Sequence, residues 1–326
     1  MCEELREAVR AGGMFARDRP VVALISGGRD STCLLDVALA VRGPGALSAL
    51  HVNYGLRAEA GEDERHCARL CEQLGVELEV IRAEPPEQAA GNLQAWAREL
   101  RYAAAVRAAE RRGGLFATGH TASDQVETIL YRLAASPGRR ALLGMVAAEG
   151  RLIRPLLGFT REQTGAYCRE RGLDWREDAS NADERFARTR VREGLLPALR
   201  AVHPAAETNV LRTARMLREE AELLEQLVSS ELGGAPRIAT ARLRELAPAL
   251  ARLIVVRLAE QAAGTYVPQA GARVEEILAL ARRGGRAELH VGGLAGAVIE
   301  DGYLRMVRLA PRAERAEGEG EAPLGD

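Results

Sequence analysis

The chain has 326 residues, 47% apolar and 28% charged, which suits roughly two globular domains and excludes a disordered or collagen-like chain. Its 45 basic residues are all arginine, so a Walker A loop, a pyridoxal Schiff base and a lysine nucleophile are excluded; 46 acidic residues bring the formal charge to −1. No run approaches the length of about 18 apolar residues that spans a membrane, and MCEELREAVRAGG lacks the layout of a signal peptide, so no membrane partner and a cytoplasmic location are expected.

In chain order, Val21–Ile25 (VVALI) reads as a buried strand, followed by SGGRDS and a helix to about Val41. Leu47–Val52 is a second strand. An amphipathic helix over Glu59–Leu74 ends at Gly75, and Glu77–Ile81 is a third strand. Leu93–Arg111 is helical, Leu115–Thr118 a fourth strand, and Ser123–Leu133 a further helix, with a short fifth strand at Leu152–Ile153. Strands alternating with helices of this length predict an α/β fold, a doubly wound parallel sheet.

The pattern changes after Val202. Ala205–Leu232, Leu243–Ala262 and Ala272–Arg282 read as helices, and Leu289–Val307 as short strands with glycine turns. The expected organisation is a domain over 1–201, a smaller, mainly helical one over 202–310, and a disordered acidic tail over 311–326. The cysteines, at 2, 33, 67, 71 and 168, contain no CxxC pair and read as buried free thiols.

The segment Ser26, Gly27, Gly28, Arg29, Asp30, Ser31 lies between a strand and a helix. Two glycines let the backbone approach an anion, and the free N–H groups of the next helix point at it. An ordinary tight turn could share these letters. Asp30 distinguishes it: a carboxylate beside phosphates repels them unless it holds a metal, which suggests Mg²⁺ bridging Asp30 to a nucleotide.

Asp124 and Glu127 are three apart and share one helix face, at the strand end where open parallel sheets bind ligands. Two carboxylates there suit a cationic amino group, although acidic residues also favour a helix's first turn through its dipole. His120 could reach phosphate or ribose, or serve only as a structural hydrogen-bonder. Arg188, Arg190 and Arg192 form a dense basic cluster that could contact RNA phosphates, or pair with Asp183, Glu184 and Glu193.

Strand–SGGxDS–helix resembles the PP-loop ATP pyrophosphatases. Further segments are similar to the tRNA(Ile)-lysidine synthase family: HVNYGLR at His51–Arg57, NLQAWARELRY at Asn92–Tyr102, TGHTASDQVET at Thr118–Thr128, RPLL at Arg154–Leu157, WREDASN at Trp175–Asn181 and RTRVR at Arg188–Arg192. This chain departs from the family pattern at Tyr54 (usually His), at Ser123 (usually Asp) and in the loop Ala135–Ala141.

The resemblance implies ATP bound on Ser26–Ser31 with His51, Arg57 and His120 nearby, and Mg²⁺ on Asp30. It implies free L-lysine held by Asp124 and Glu127, and isoleucine tRNA with a CAU anticodon contacted by Arg98, Arg188, Arg190 and Arg192. Asp30, Asp124 and Glu127 are the implied catalytic set, and a homodimer is an arrangement the resemblance allows. The implied reaction adenylates the C2 oxygen of the first anticodon cytidine, and the ε-amino group of lysine then attacks C2 and displaces AMP to form lysidine. The alternatives are another PP-loop tRNA-modifying enzyme such as a thiolase, against which the absence of CxxC argues, or a non-catalytic nucleotide-binding module.

Overall fold

The computed structural model describes all residues except 16–18, 57–58, 87–92, 136–137, 177–186, 284 and 311–326, and of Arg188 only the backbone. Arg57, the side chain of Arg188 and the acidic tail therefore lie outside the described residues. The chain divides into two compact units, Met1–Leu217 and Arg218–Asp326.

In the first unit, β1 (Val21–Ile25) pairs in parallel with β2 (Leu47–Asn53) on one side and β4 (Leu115–Ala117) on the other. Beyond β2 lies β3 (Glu77–Arg82); beyond β4 lie β6 (Leu152–Ile153) and, antiparallel at the edge, β5 (Ala148–Glu149). The order is β3-β2-β1-β4-β6-β5. All five β1 residues are apolar and buried, as a central strand covered on both faces requires.

The two faces divide β1 by alternation. Val21, Ala23 and Ile25 join a core built with α1 (Cys2–Ala11), α2 (Arg29–Arg42), α3 (Ala60–Leu74) and α7 (Arg161–Glu170). Val22 and Leu24 face α4 (Leu93–Arg111), whose Ala104, Ala105, Ala108 and Ala109 let the helix lie close to the sheet. The strand order reverses between β1 and β4, so a crevice opens beyond their carboxyl ends, where such sheets bind ligands. It is bordered by the starts of α2 and of α5 (Ala122–Ala135).

All five cysteines are free and buried. Helices α1 and α7 were not expected from the sequence. The latter starts with a capping box, Thr160 and Gln163 each accepting from the other's backbone N–H, at 3.3 and 2.8 Å.

The first unit continues through α6 (Arg139–Leu142), α8 (Ala187–Arg190), a π-helical turn at Val191–Leu195 and α9 (Leu196–Val202) into α10 (Ala206–Leu232), within which the two units divide. In the second unit, α12 (Pro248–Ala263) packs Ile254, Val255 and Leu258 with Ala297, Ile299 and Leu304. Those residues come from an antiparallel sheet of β7 (Arg237–Ala239), β10 (Tyr303–Arg308), β9 (Ala295–Glu300) and β8 (Ala287–Gly292), in that order. The helix expected over Leu243–Ala262 is in fact two. α11 (Thr240–Glu245) stops before extended Leu246, and Pro248 starts α12 in its first turn, where a missing N–H costs nothing. Val274–Arg283 forms α13.

Candidate functional site

Gly27 follows β1 with φ +82°, a conformation that favours glycine, and its carbonyl accepts from the Arg176 N–H at 2.9 Å. Gly28 precedes α2 and offers no side-chain cap, so the first amides of a 14-residue helix are left to whatever anion approaches. Ser31 organises the loop from within. Its hydroxyl accepts from the Ser26 N–H at 3.1 Å and donates to the Gly28 carbonyl at 2.8 Å. These features fit a phosphate group.

Gly119, between β4 and α5, lies against the start of α2: a Cβ there would stand 2.9 Å from the Asp30 carbonyl carbon and oxygen. Both neighbours are backbone and cannot yield without parting the two loops. Gly119→Ala should therefore lower the unfolding free energy by about 1–3 kcal/mol, measured by denaturant melts. An unchanged midpoint would mean that the loops separate freely.

The three acidic residues meet on one cation, Arg161, the first residue of α7. Its Nη2 donates to Asp124 Oδ1 at 2.5 Å and its Nη1 to Glu127 Oε1 at 2.6 Å, while its Nε stands 3.7 Å from Asp30 Oδ2. Arg192 donates bidentately to Glu127 at 2.8 and 3.1 Å. Asp124 Oδ2 accepts from the Thr121 N–H and hydroxyl, both at 2.8 Å. Asp30 Oδ1 accepts from the Thr164 hydroxyl at 2.5 Å and from Arg29 Nε at 3.2 Å.

The two aspartates are tuned apart. Burial pushes the Asp30 carboxyl up, and its hydrogen bond from Thr164 and the Arg29 charge offset only part of that. Burial acts the same way on Asp124, but Arg161 and the Thr121 hydrogen bonds outweigh it and hold that carboxyl below its usual range. Arg161 stays charged despite burial because Asp124 and Glu127 surround it.

His120 is bonded to Thr118, Nδ1 to Oγ1, at 2.8 Å. Burial, helped by the charges of Arg154, Arg101 and Arg98, lowers its pKa to about 4 against the opposing pull of Asp124. Nε of Arg101 and of Arg154 is buried without a hydrogen-bond partner among the described residues. The imidazole is thus neutral at pH 7. Its neutrality contributes stability above the unfolded value of about 6.5 that is lost as pH falls towards 4. An NMR titration should give a His120 midpoint near 4; a midpoint at an ordinary histidine value would mean the ring is solvated.

Not every expected residue faces the crevice in the same way. His51 is buried, and its Nδ1 donates to the carbonyl of Ile25, the residue before the loop, at 3.0 Å. Arg98 lies over the Tyr102 ring at 4.7 Å. Arg190 sits on α8 beside a cavity of about 330 Å³ lined by Tyr131, Ala134 and Leu195. Of the departures, Tyr54 packs edge-on to Trp96 at 6.0 Å, and Ser123 Oγ accepts from the Arg161 N–H at 3.2 Å. Sequence reasoning missed Arg161 and Thr164. The Thr160–Gln163 capping box was the available clue to the helix that carries them.

The crevice at the β1–β4 reversal, with an uncapped helix start and a glycine at positive φ, defines an α/β protein whose first loop fits a phosphate group. Residues 3–199 match the family model described as the PP-loop domain, and the chain belongs to that family. It is 40% identical to a tRNA(Ile)-lysidine synthase from Pseudomonas fluorescens, over 64% of this chain and 48% of that one. It is 37% identical to a tRNA(Ile)-lysidine synthase from Symbiobacterium thermophilum, over 98% of this chain and 64% of that one. The chain thus spans about half to two thirds of the length of these curated relatives. Among solved structures, the U34-tRNA thiolase NcsA from Methanococcus maripaludis, with its [4Fe-4S] cluster, superposes with a TM-score of 0.56 at 17% identity, covering 66% of this chain and 78% of that one, a likeness of fold. Among the described residues no helix is long and apolar enough to cross a membrane.

Proposed function

We propose that the chain carries a tRNA(Ile)-lysidine synthase activity, joining free lysine to C2 of the first anticodon cytidine of isoleucine tRNA at the expense of ATP. The observation that carries this reading is the reach of one guanidinium. Arg161 touches Asp124 and Glu127 and approaches Asp30, so carboxylates suited to a cationic amine stand one side chain away from the phosphate loop. The similarity to the Symbiobacterium thermophilum relative over 98% of this chain supports the same reading.

In this reading the ATP phosphates lie on the amides of Gly28–Ser31 and on the Ser26 hydroxyl. Mg²⁺ fits Asp30: among the described residues Oδ2 has no hydrogen-bonded partner within the usual range, and Mg²⁺ favours one or two carboxylates plus substrate phosphates. When bound it would neutralise phosphate charge. His51 braces the strand end beneath the loop through Ile25. Attack of the cytidine O2 on the α-phosphorus releases pyrophosphate and makes a good leaving group of a poor one. The ε-amine of lysine, held by Asp124 and Glu127, then attacks C2 and AMP departs. The proton lost by the amine goes to a neighbouring carboxylate or to water. Arg98, Arg188, Arg190 and Arg192 are the proposed tRNA contacts, Arg192 from its position on Glu127.

The test is incubation with ATP, Mg²⁺, radiolabelled lysine and isoleucine tRNA bearing CAU. Label in the tRNA that depends on ATP, with AMP and pyrophosphate released, is expected. Pyrophosphate release without lysine incorporation would overturn the lysine assignment.

A further inference from the structure

We propose that Arg161 is the resident occupant of the amine site, exchanged for the substrate's ammonium group when lysine binds. The proposal rests on the reading of Asp124 and Glu127 as the amine-binding carboxylates. It adds that the free protein keeps that site filled with a cation of its own.

The guanidinium meets the carboxylates on all three of its edges: Nη2 on Asp124 at 2.5 Å, Nη1 on Glu127 at 2.6 Å and Nε towards Asp30 at 3.7 Å. No other described cation bridges Asp124 and Glu127; Arg192 reaches only the latter. An incoming ammonium therefore finds the pair already bonded. It competes with Arg161 for Asp124 Oδ1 and Glu127 Oε1, since Oε1 already accepts from both arginines and Asp124 Oδ2 from two Thr121 donors.

The local structure allows such an exchange without unfolding α7. The helix start is fixed by its own capping box and by the bond from the Arg161 N–H to Ser123 Oγ at 3.2 Å, neither of which involves the guanidinium. The side chain is one-fifth exposed, so it has a way out. Charge is conserved as one cation leaves and another enters, and neither buried Glu127 nor the half-buried Asp30 and Asp124 stands uncompensated. The consequence is a built-in threshold. Amines bind only as strongly as their advantage over an intramolecular competitor, and stray monovalent cations are excluded while the site waits.

The experiment is calorimetric titration of the full chain, with ATP and Mg²⁺ present, using n-pentylamine as the probe so that no α-carboxylate contact enters. Arg161→Gln should bind the amine about tenfold more tightly than wild type, the factor expected for freeing one charge-assisted hydrogen bond. Arg161→Lys, which keeps a resident cation, should bind it like wild type. Unchanged or weaker binding by folded Arg161→Gln overturns the exchange, because a strut or direct amine partner would behave that way. Should the Gln variant not fold, NMR of wild type decides: the Arg161 Nη–H resonances should lose their ion-paired shifts as the amine saturates. A resonance that stays in place while the amine binds overturns the proposal. Adding Glu127→Gln to Arg161→Gln should abolish the gain. If the double variant binds as tightly as the single one, the carboxylate assignment is what has failed.

Discussion

Asp30→Asn should lower the rate of ATP-dependent lysine incorporation by about 100-fold or more, the scale on which an enzyme loses a positioned electrostatic stabiliser. The carboxylate accepts from Thr164 at 2.5 Å and from Arg29 at 3.2 Å through Oδ1, while Oδ2 stands 3.7 Å from Arg161 Nε. Asparagine can keep one acceptor on Thr164, but it presents an amide where a divalent cation would need an oxygen anion. The fold should survive. Asp30 is the second residue of α2, where losing its charge forfeits only about 0.3–1 kcal/mol of helix-dipole interaction. Single-turnover release of pyrophosphate, compared with circular dichroism of the same sample, separates the two effects. A folded variant with ordinary turnover would remove Asp30 from the chemistry.

Much of this site is legible in the sequence, because its parts are local. SGGRDS declares itself by two glycines between an apolar run and a helix, and the structure gives Gly27 the positive φ that only such a residue adopts readily. Asp124 and Glu127 share a face by helical spacing alone. Arg161 is not legible in that way. Its partners lie 34, 37 and more than 130 residues away, and no period or propensity links them. The same holds for Thr164, which reaches Asp30 only because α7 packs on α2. The small second sheet was half visible, in the glycine-spaced strands near the end. Its partner β7 is three residues long, too short for alternation to register. The split between α11 and α12 is legible in Pro248, which can start a helix but not continue one.

The second large effect lies behind the site. Asp36→Asn should cost about 3–5 kcal/mol of unfolding free energy, the range for removing one partner of a buried ion pair. Asp36 is 2% exposed and accepts from three residues at once. It accepts from Arg6 at 2.9 Å on α1, and from the Tyr167 hydroxyl at 2.5 Å on α7. Arg171, just past α7, reaches it at 3.1 and 3.2 Å. Burial alone would raise this carboxyl, but Arg171, Tyr167 and Arg6 overcome it and hold it below the usual carboxylate range. The sign follows. A carboxyl whose folded value is depressed contributes stability that is complete above the unfolded value of about 3.9 and is lost as pH falls through the folded one. The gap between wild type and Asp36→Asn in denaturant melts should therefore be full at pH 7 and close only in strong acid. A gap that is already closed at pH 5 would mean that Asp36 is not ionised in the folded chain. Because the same carboxylate ties α2 to α7, the variant should also loosen the distance between Asp30 on one helix and Thr164 and Arg161 on the other. Some loss of turnover is then expected even under conditions where the variant remains folded.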